Sequence, residues 1–273
     1  DVYKRQVNDF VMGWKISGTF NGARITGDGK AGALLALKNV DKPFPLEAKL
    51  NVGKTSIRVN GTVTKPQELA AIDMRLHLSG ASMADLYPLT GITLPKTPEF
   101  STEGHLIGVT NKAGGKWTYE KFKGKVGDSD IAGSLVYESK QPRPLLSGTV
   151  VSNLLQLSDL GPVIGADSNE SKKERGVAPN QPADKVLPVE KFTTERWGSI
   201  DADVQITGHK IVHSASLPIE NLDTHLKMQD SVVTLSPLKF GVAGGTMIGD
   251  IKLDGRNNII KAEAKVSARH LKL

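Results

Sequence analysis

Apolar and polar residues alternate with period two through most of this chain, and apolar residues seldom run together. In Trp14-Lys15-Ile16-Ser17-Gly18-Thr19-Phe20 the even positions are apolar and the odd ones polar. The same alternation runs through Leu46-Glu47-Ala48-Lys49-Leu50, Ile57-Arg58-Val59-Asn60-Gly61-Thr62-Val63, Met74-Arg75-Leu76-His77-Leu78-Ser79 and Leu146 to Val151. It returns in Ile200-Asp201-Ala202-Asp203-Val204-Gln205-Ile206, in Leu222 to Met228 and in Ile260-Lys261-Ala262-Glu263-Ala264-Lys265-Val266. Successive side chains on a strand point to opposite faces, so each segment has one dry face and one wet face. This is the pattern of an antiparallel sheet solvated on one side, not of the doubly apolar strands of a parallel α/β sheet. Asp28-Gly29, Gly114-Gly115 and Asp254-Gly255 read as turns between the runs, as in a β-meander. Helical signal is thin: one or two turns over Ser82 to Leu89 and over Leu154 to Leu160, and a third place beyond Arg269.

A second regularity overlies the first. Asp85-Leu86-Tyr87-Pro88-Leu89-Thr90-Gly91 returns as Asp159-Leu160-Gly161-Pro162-Val163-Ile164-Gly165, sharing Asp-Leu-x-Pro-[Leu/Val]-x-Gly, and each copy follows an alternating run. Upstream, Val59-Asn60-Gly61-Thr62-Val63 is matched by Ile131-Ala132-Gly133-Ser134-Leu135. A repeated strand, strand, short-helix unit predicts an extended array, because each unit buries its apolar face mainly against its neighbours. Such an array offers a surface used along its length rather than a catalytic pocket. The recurring Asp85 and Asp159 are expected to cap free amides at the start of a helical turn.

Composition sets limits. Of 273 residues, 38% are hydrophobic and 28 are glycine, enough for a lean core. No stretch approaches the roughly 20 apolar residues of a membrane-spanning helix, and no signal peptide is visible. The first six residues, Asp1 to Gln6, resemble a translated sequencing-adapter remnant, and the chain stops inside the strand-like run Ala262 to Leu273, so both ends read as cut. There is no cysteine, which removes disulfides, thiolate metal sites and cysteine nucleophiles together. The net charge of +6 comes from 35 basic and 29 acidic groups scattered among one another, a mixed solvated surface rather than a nucleic-acid footprint. Residues 166–191 change character: Asp167 to Arg175 holds no apolar residue and Pro179 and Pro182 follow, so this segment reads as a disordered linker.

Motifs that could carry chemistry have simpler readings. Gly27-Asp28-Gly29-Lys30-Ala31-Gly32 satisfies G-x-G-x-x-G, but the dinucleotide mechanism needs a helix N-terminus directly after it. Ala33-Leu34-Leu35-Ala36-Leu37 is too short for that helix and reads as a strand, so the glycines are taken as a hairpin turn. His209 and His213 have i, i+4 spacing, but on a strand four residues span roughly 13 Å, and they read as surface histidines. No G-x-S-x-G, sheltered carboxylate pair or nucleophile-bearing turn is present. Asp201 and Asp203 sit on the wet face opposite Ile200, Ala202 and Val204. No catalytic residue, cofactor or metal site is expected. The row of dry faces is left with two readings: the core of a closed sandwich, which composition favours, or the floor of an open, curved sheet.

From Leu187-Pro188-Val189-Glu190-Lys191-Phe192 onward the order of motifs is specific. Ile200-Asp201-Ala202-Asp203-Val204 is followed by Leu217-Pro218-Ile219-Glu220-Asn221-Leu222, Asp230-Ser231-Val232-Val233-Thr234-Leu235-Ser236-Pro237-Leu238, and Gly244-Gly245-Thr246-Met247-Ile248-Gly249-Asp250-Ile251-Lys252-Leu253-Asp254-Gly255. This succession resembles the C-terminal region of the AsmA family, and the Asp-Leu-x-Pro signatures resemble that family's preceding repeats. The match runs from about Trp14. It departs at Asp230-Ser231, where the family usually has glycine after the acid, which puts the form of that turn in question.

The resemblance implies a non-enzymatic protein of the Gram-negative periplasm, held in the inner membrane by an N-terminal helix that lies outside this sequence. AsmA-like proteins are similar to chorein-type bridge proteins, whose curved sheet encloses a hydrophobic groove, and the family is associated with outer-membrane biogenesis and the movement of glycerophospholipids. The expected fold is then mainly β: an antiparallel twisted sheet curved into an open hydrophobic groove, with short helices. Residues 7–165 would hold two β-groove repeats and 192–273 a C-terminal module continuing the same sheet. The expected groove lining is Trp14, Ile16, Phe20, Ile57, Val59, Val63, Met74, Leu76, Leu78, Val204, Ile206, Leu226, Ile251 and Leu253. Phospholipid acyl chains and other envelope proteins are the implied partners, with no nucleic acid. The alternative is a β-rich scaffold or interaction module in envelope assembly that packs the same faces into a closed core.

Overall fold

The computed structural model describes residues 10–34, 42–65, 70–91, 94, 97–111, 114–156, 159, 197–212, 219–257 and 260–270. They form one sheet of 14 strands in which each strand is hydrogen-bonded to the next in chain order. The first nine are β1 (Met12–Phe20), β2 (Ala23–Ala31), β3 (Phe44–Val52), β4 (Thr55–Thr64), β5 (Ala71–Gly80), β6 (Phe100–Asn111), β7 (Gly114–Val126), β8 (Ser129–Glu138) and β9 (Leu145–Gln156). The remaining five are β10 (Asp201–Val212), β11 (Ile219–Gln229), β12 (Val232–Val242), β13 (Gly245–Asp254) and β14 (Lys261–Arg269). The alternating runs of the sequence fall on these strands, with Ile200 and Ile260 each standing one residue before theirs. Among the described residues no strand pairs with the outer side of β1 or β14, and the sheet is not closed into a barrel. The sandwich favoured by composition does not form: among the described residues no second sheet faces the first.

Neighbouring strands are antiparallel throughout, except that β10 lies parallel to β9. A parallel neighbour must start at the same end as the strand it joins, which a tight hairpin cannot arrange. The expected linker, residues 166–191, falls in this connection and lies outside the described residues. The C-terminal strands nevertheless continue the same sheet. A side-chain clamp holds the seam at the end where β9 and β10 begin. Arg143, in the turn before β9, gives Nε to Asp201 Oδ1 at 2.9 Å and Nη2 to Asp230 Oδ1 at 2.6 Å. Asp230 belongs to the β11–β12 turn, so one guanidinium links the turn entering β9, the first residue of β10 and the next turn beyond. That turn keeps the two-residue form despite lacking glycine: Asp230 and Ser231 both adopt positive φ, 50° and 62°.

Several local assignments differ from the sequence reading, and one is Gly114-Gly115, which opens β7 paired with Asn111 and Thr110 rather than forming the turn. Asp28-Gly29 lies inside β2, and the β1–β2 turn is Asn21-Gly22, with φ of 46° and 79°. Asn-Gly is the favoured pair for a two-residue hairpin turn because both positions tolerate positive φ. Residues 154–156 finish β9 rather than begin a helix. Of the second signature only Asp159 is described, and residues 35–41, His213 and the segment after His270 lie outside the described residues. Leu34 sits in a short 3-10 turn rather than a strand and is exposed.

The first signature does form a helical cap. A 3-10 turn (Met83–Leu86) runs into α1 (Tyr87–Thr90), with Pro88 in its first turn and Gly91 ending it at φ 66°. Its N-cap is Ser82, whose Oγ accepts from Ala84 N and Thr97 N. Asn21 Nδ2 donates to Pro88 O at 2.8 Å, tying the segment to the β1–β2 turn. Leu86, with Met83 and Leu89, packs against Phe100 and Val126 at the end of the apolar face.

Candidate functional site: an apolar sheet face

Directly paired residues on adjacent strands project to the same side of a sheet. One row of such pairs runs Leu46, Gly61, Met74, Leu106, Tyr119, Leu135, Gly148, Val204, Leu226, Leu235 and Ile251, crossing from β3 to β13 without a charged residue. A second row joins Trp14, Gly29, Ala48, Val59 and Leu76; a third joins Ile16, Gly27, Leu50, Ile57 and Leu78. Phe20, Val63, Ile206 and Leu253 stand on the same side two or four residues along their strands. The register therefore places all fourteen expected lining residues on one face.

Burial on that face is uneven. Val52, Val63, Met74 and Leu76 are at most 7% exposed, and the three apolar clusters all draw on β2 to β8. The described residues supply no second layer, so the strands' own neighbours and the α1 segment cover these side chains, as happens on the inside of a bend. Register shifts between β6 and β7, β7 and β8, β11 and β12, and β12 and β13 mark bulges, which bend and twist a strand. Gly133 and Gly148 sharpen the bend. At φ 155° and 142°, a Cβ at either would stand 2.0 or 2.1 Å from a carbonyl oxygen of the adjacent strand. Toward the edges the face opens: Ile16 and Phe20 are 45% and 43% exposed, and every residue of β14 is exposed.

Aromatic residues that the sequence reading passed over also pave this face. Tyr119 stacks on Phe122 with ring centroids 5.2 Å apart and donates to Thr102 Oγ1 at 3.2 Å. Burial raises the pKa of its phenol. Trp117 packs against the Val63, Ile72 and Met74 cluster. The alternation Trp117-Thr118-Tyr119-Glu120 carries the same signal as the runs that were recognised. Three polar side-chain atoms of the face, Trp14 Nε1, Thr110 Oγ1 and Thr224 Oγ1, are buried without a protein hydrogen-bond partner.

The opposite face is polar, and its side chains pair across strands. Lys116 meets Glu138 at 3.0 Å, Lys123 meets Glu103 at 3.1 Å, His105 meets Asp73 at 2.6 Å, and His225 meets Asp203 at 2.5 Å. Among the described residues no group of three or more His, Asp and Glu side chains is placed to hold a metal ion.

The first signature's turn is capped by Ser82 rather than by the recurring Asp85, and the described bonds of Asp159 reach a hairpin turn distant in sequence. Asp159 is 8% exposed, and its Oδ2 accepts from Asp128 N at 3.0 Å, Ser129 N at 2.9 Å and Ser129 Oγ at 2.7 Å. It caps the β7–β8 hairpin turn across some thirty residues of sequence. In the first copy the contact is made by main chain: Thr55 Oγ1 donates to the Asp85 carbonyl oxygen at 3.4 Å. Ser129 extends the network by accepting from Gln156 N at 2.9 Å. Beside it, Asp130 serves the part of β9 that runs past its pairing with β8. Its carboxylate accepts from Leu154 N at 2.6 Å, from Asn153 N and Nδ2, and from Ser152 Oγ. Burial alone would raise its pKa, but these bonds outweigh it and hold the carboxyl below its ordinary value. A carboxyl depressed by folding contributes its stability above the unfolded value, near pH 4, and loses it as pH falls through the folded value. Asp130→Asn is therefore expected to flatten the acid limb of the stability curve below about pH 4, as read from urea midpoints across pH.

The AsmA family model matches residues 1–273. A curated relative, AsmA family protein YhjG of Escherichia coli (strain K12), is 43% identical over 278 residues, covering 99% of this chain and 40% of its own length. The chain thus spans less than half of that relative. No solved structure matches. No described helix is long and apolar enough to cross a membrane.

Proposed function

The chain belongs to the AsmA family, and from that premise we propose that its apolar face binds and conducts glycerophospholipids by their acyl chains. The setting we propose is the periplasm, in a protein anchored to the inner membrane that supports outer-membrane biogenesis. The observation that carries this reading is the unbroken row of uncharged, directly paired positions from Leu46 on β3 to Ile251 on β13. An acyl chain needs no specific partner, only continuous dry surface, and gains roughly 25 cal/mol per Å² buried. A sheet with one apolar face and no covering layer among its described residues supplies such surface.

The second reading is a scaffold or interaction module of envelope assembly. It is favoured by the floor between β3 and β7, where Val52, Val63 and Phe100 are at most 3% exposed and neighbouring side chains already fill the space. Native mass spectrometry of the purified protein separates the two. Phospholipid of mixed headgroup and chain length, retained in the gas phase and released on activation, is the expected result. Protein that emerges lipid-free after extraction from lipid-rich membranes, and takes up none from vesicles, supports the scaffold instead.

A further inference from the structure

We propose that Gly104 and Gly108 on β6, with Gly29 on β2, are clearance residues: their missing side chains let large aromatic rings lie flat and keep the floor of the apolar face passable. A Cβ at Gly108 would stand 2.5 Å from Trp117 Cε3 and 2.8 Å from Cζ3. At Gly29 it would stand 2.5 Å from Trp14 Cζ2 and 2.7 Å from Cε2, and at Gly104 2.7 Å from Tyr119 Cε2. Trp14 and Gly29 are directly paired, as are Trp117 and Gly108. Both tryptophans found on strands thus lie over the glycine opposite them. An indole upright from the sheet would leave that glycine's Cα bare; an indole in contact with it must lie along the sheet.

Two other reasons for glycine can be separated from this one. Gly29 also faces Glu47 O at 2.0 Å, so backbone approach alone would require it. At Gly108 the three nearest atoms all belong to the Trp117 ring, and its φ lies outside the range that strains other residues. Gly108 is therefore the position where ring placement alone explains the glycine. A side chain there must lift the indole, because overpacked neighbours are driven off their preferred rotamers. On a face that passes acyl chains, an upright indole in mid-floor is an obstacle.

The consequence for passage rests on the lipid reading above; the ring placement does not. The test uses Trp14→Phe and Trp197→Phe together as background, so that Trp117 is the one tryptophan and is excited selectively over the tyrosines. Gly108→Val in that background is expected to raise acrylamide quenching of Trp117 about twofold as the ring leaves the sheet. It should also cut phospholipid recovered in native mass spectrometry several-fold. Adding Trp117→Ala to Gly108→Val should restore lipid recovery, because the obstacle is gone while the new side chain stays. Unchanged quenching would show that the ring does not lie over Gly108 and would overturn the inference whatever lipid does. Lipid loss that persists in the double variant would also overturn it, assigning Gly108 a purely structural role. If the wild-type protein retains no phospholipid, the lipid reading fails by itself and quenching still decides ring placement. Should Gly108→Val not fold, Gly108→Ala reads the same two quantities through a smaller displacement.

Discussion

Asp159→Ala is expected to cost about 3–5 kcal/mol and lower the melting temperature by about 10 °C. Asp85→Ala, at the same place in the first signature, should cost less than about 1 kcal/mol. The difference lies in which atom does the bonding. Asp159 Oδ2 takes two backbone amides and one hydroxyl of the β7–β8 turn in a largely buried setting, and alanine removes the acceptor from all three. Hydrogen bonds to a charged group contribute more than neutral ones, and orphaned buried donors carry their full desolvation penalty. At Asp85 the bond from Thr55 goes to the main-chain oxygen, which alanine keeps. The turns are otherwise alike: Gly53 and Gly127 both sit at φ 58°. Paired thermal melts measure this, and equal losses for the two variants would refute the assignment.

Charge placed on the apolar face should act differently along its length. Met74→Asp and Val204→Asp put a carboxylate where the native side chain is 6% and 7% exposed, and each is expected to cost several kcal/mol, about 4 or more. Ile251→Asp falls where the side chain is half-buried and water can reach the carboxylate, so its cost should stay near 1 kcal/mol. If acyl chains travel over β13, Ile251→Asp nevertheless lowers recovered phospholipid about tenfold, the equivalent of about 1.4 kcal/mol of lost affinity. A variant that is stable and retains wild-type lipid would remove β13 from the path. A collapse of stability at Ile251 matching that at Met74 would show that its side chain is as tightly packed as those in the middle of the face.

Period-two patterning made the strands and the sidedness of the face legible before any coordinates, because one dry and one wet face per strand leaves a regular trace. Trp14, Met74, Val204 and Ile251 reach one face from four distant segments through that rule alone. What escaped was whatever depends on pairs far apart in sequence. Asp28-Gly29 has the composition of a turn, yet Gly29 is there for Trp14 and for the carbonyl of Glu47, contacts that no local window contains. Asp159 reads as a capping residue in the sequence, and the amides it meets belong to the β7–β8 turn, some thirty residues away, which no local pattern announces. The open sheet overtook the sandwich only through family resemblance, since alternation is the same for a face covered by a second sheet and a face left bare.

Strict serial order gives the sheet a ruler. Fourteen strands leave thirteen gaps, and at about 4.8 Å each the track measured across the strands is about 62 Å, twice the roughly 30 Å hydrocarbon core of a bilayer. Removing one whole hairpin shortens that track by about 9.6 Å while preserving both strand direction and side-chain facing; removing a single strand reverses everything after it. The parallel join of β9 to β10 is where that arithmetic resets, since two successive strands there point the same way. A track of such length has room for several lipids in file. If acyl chains do bind this face as proposed, throughput depends on how many stand on it at once, a quantity that counts in hairpins.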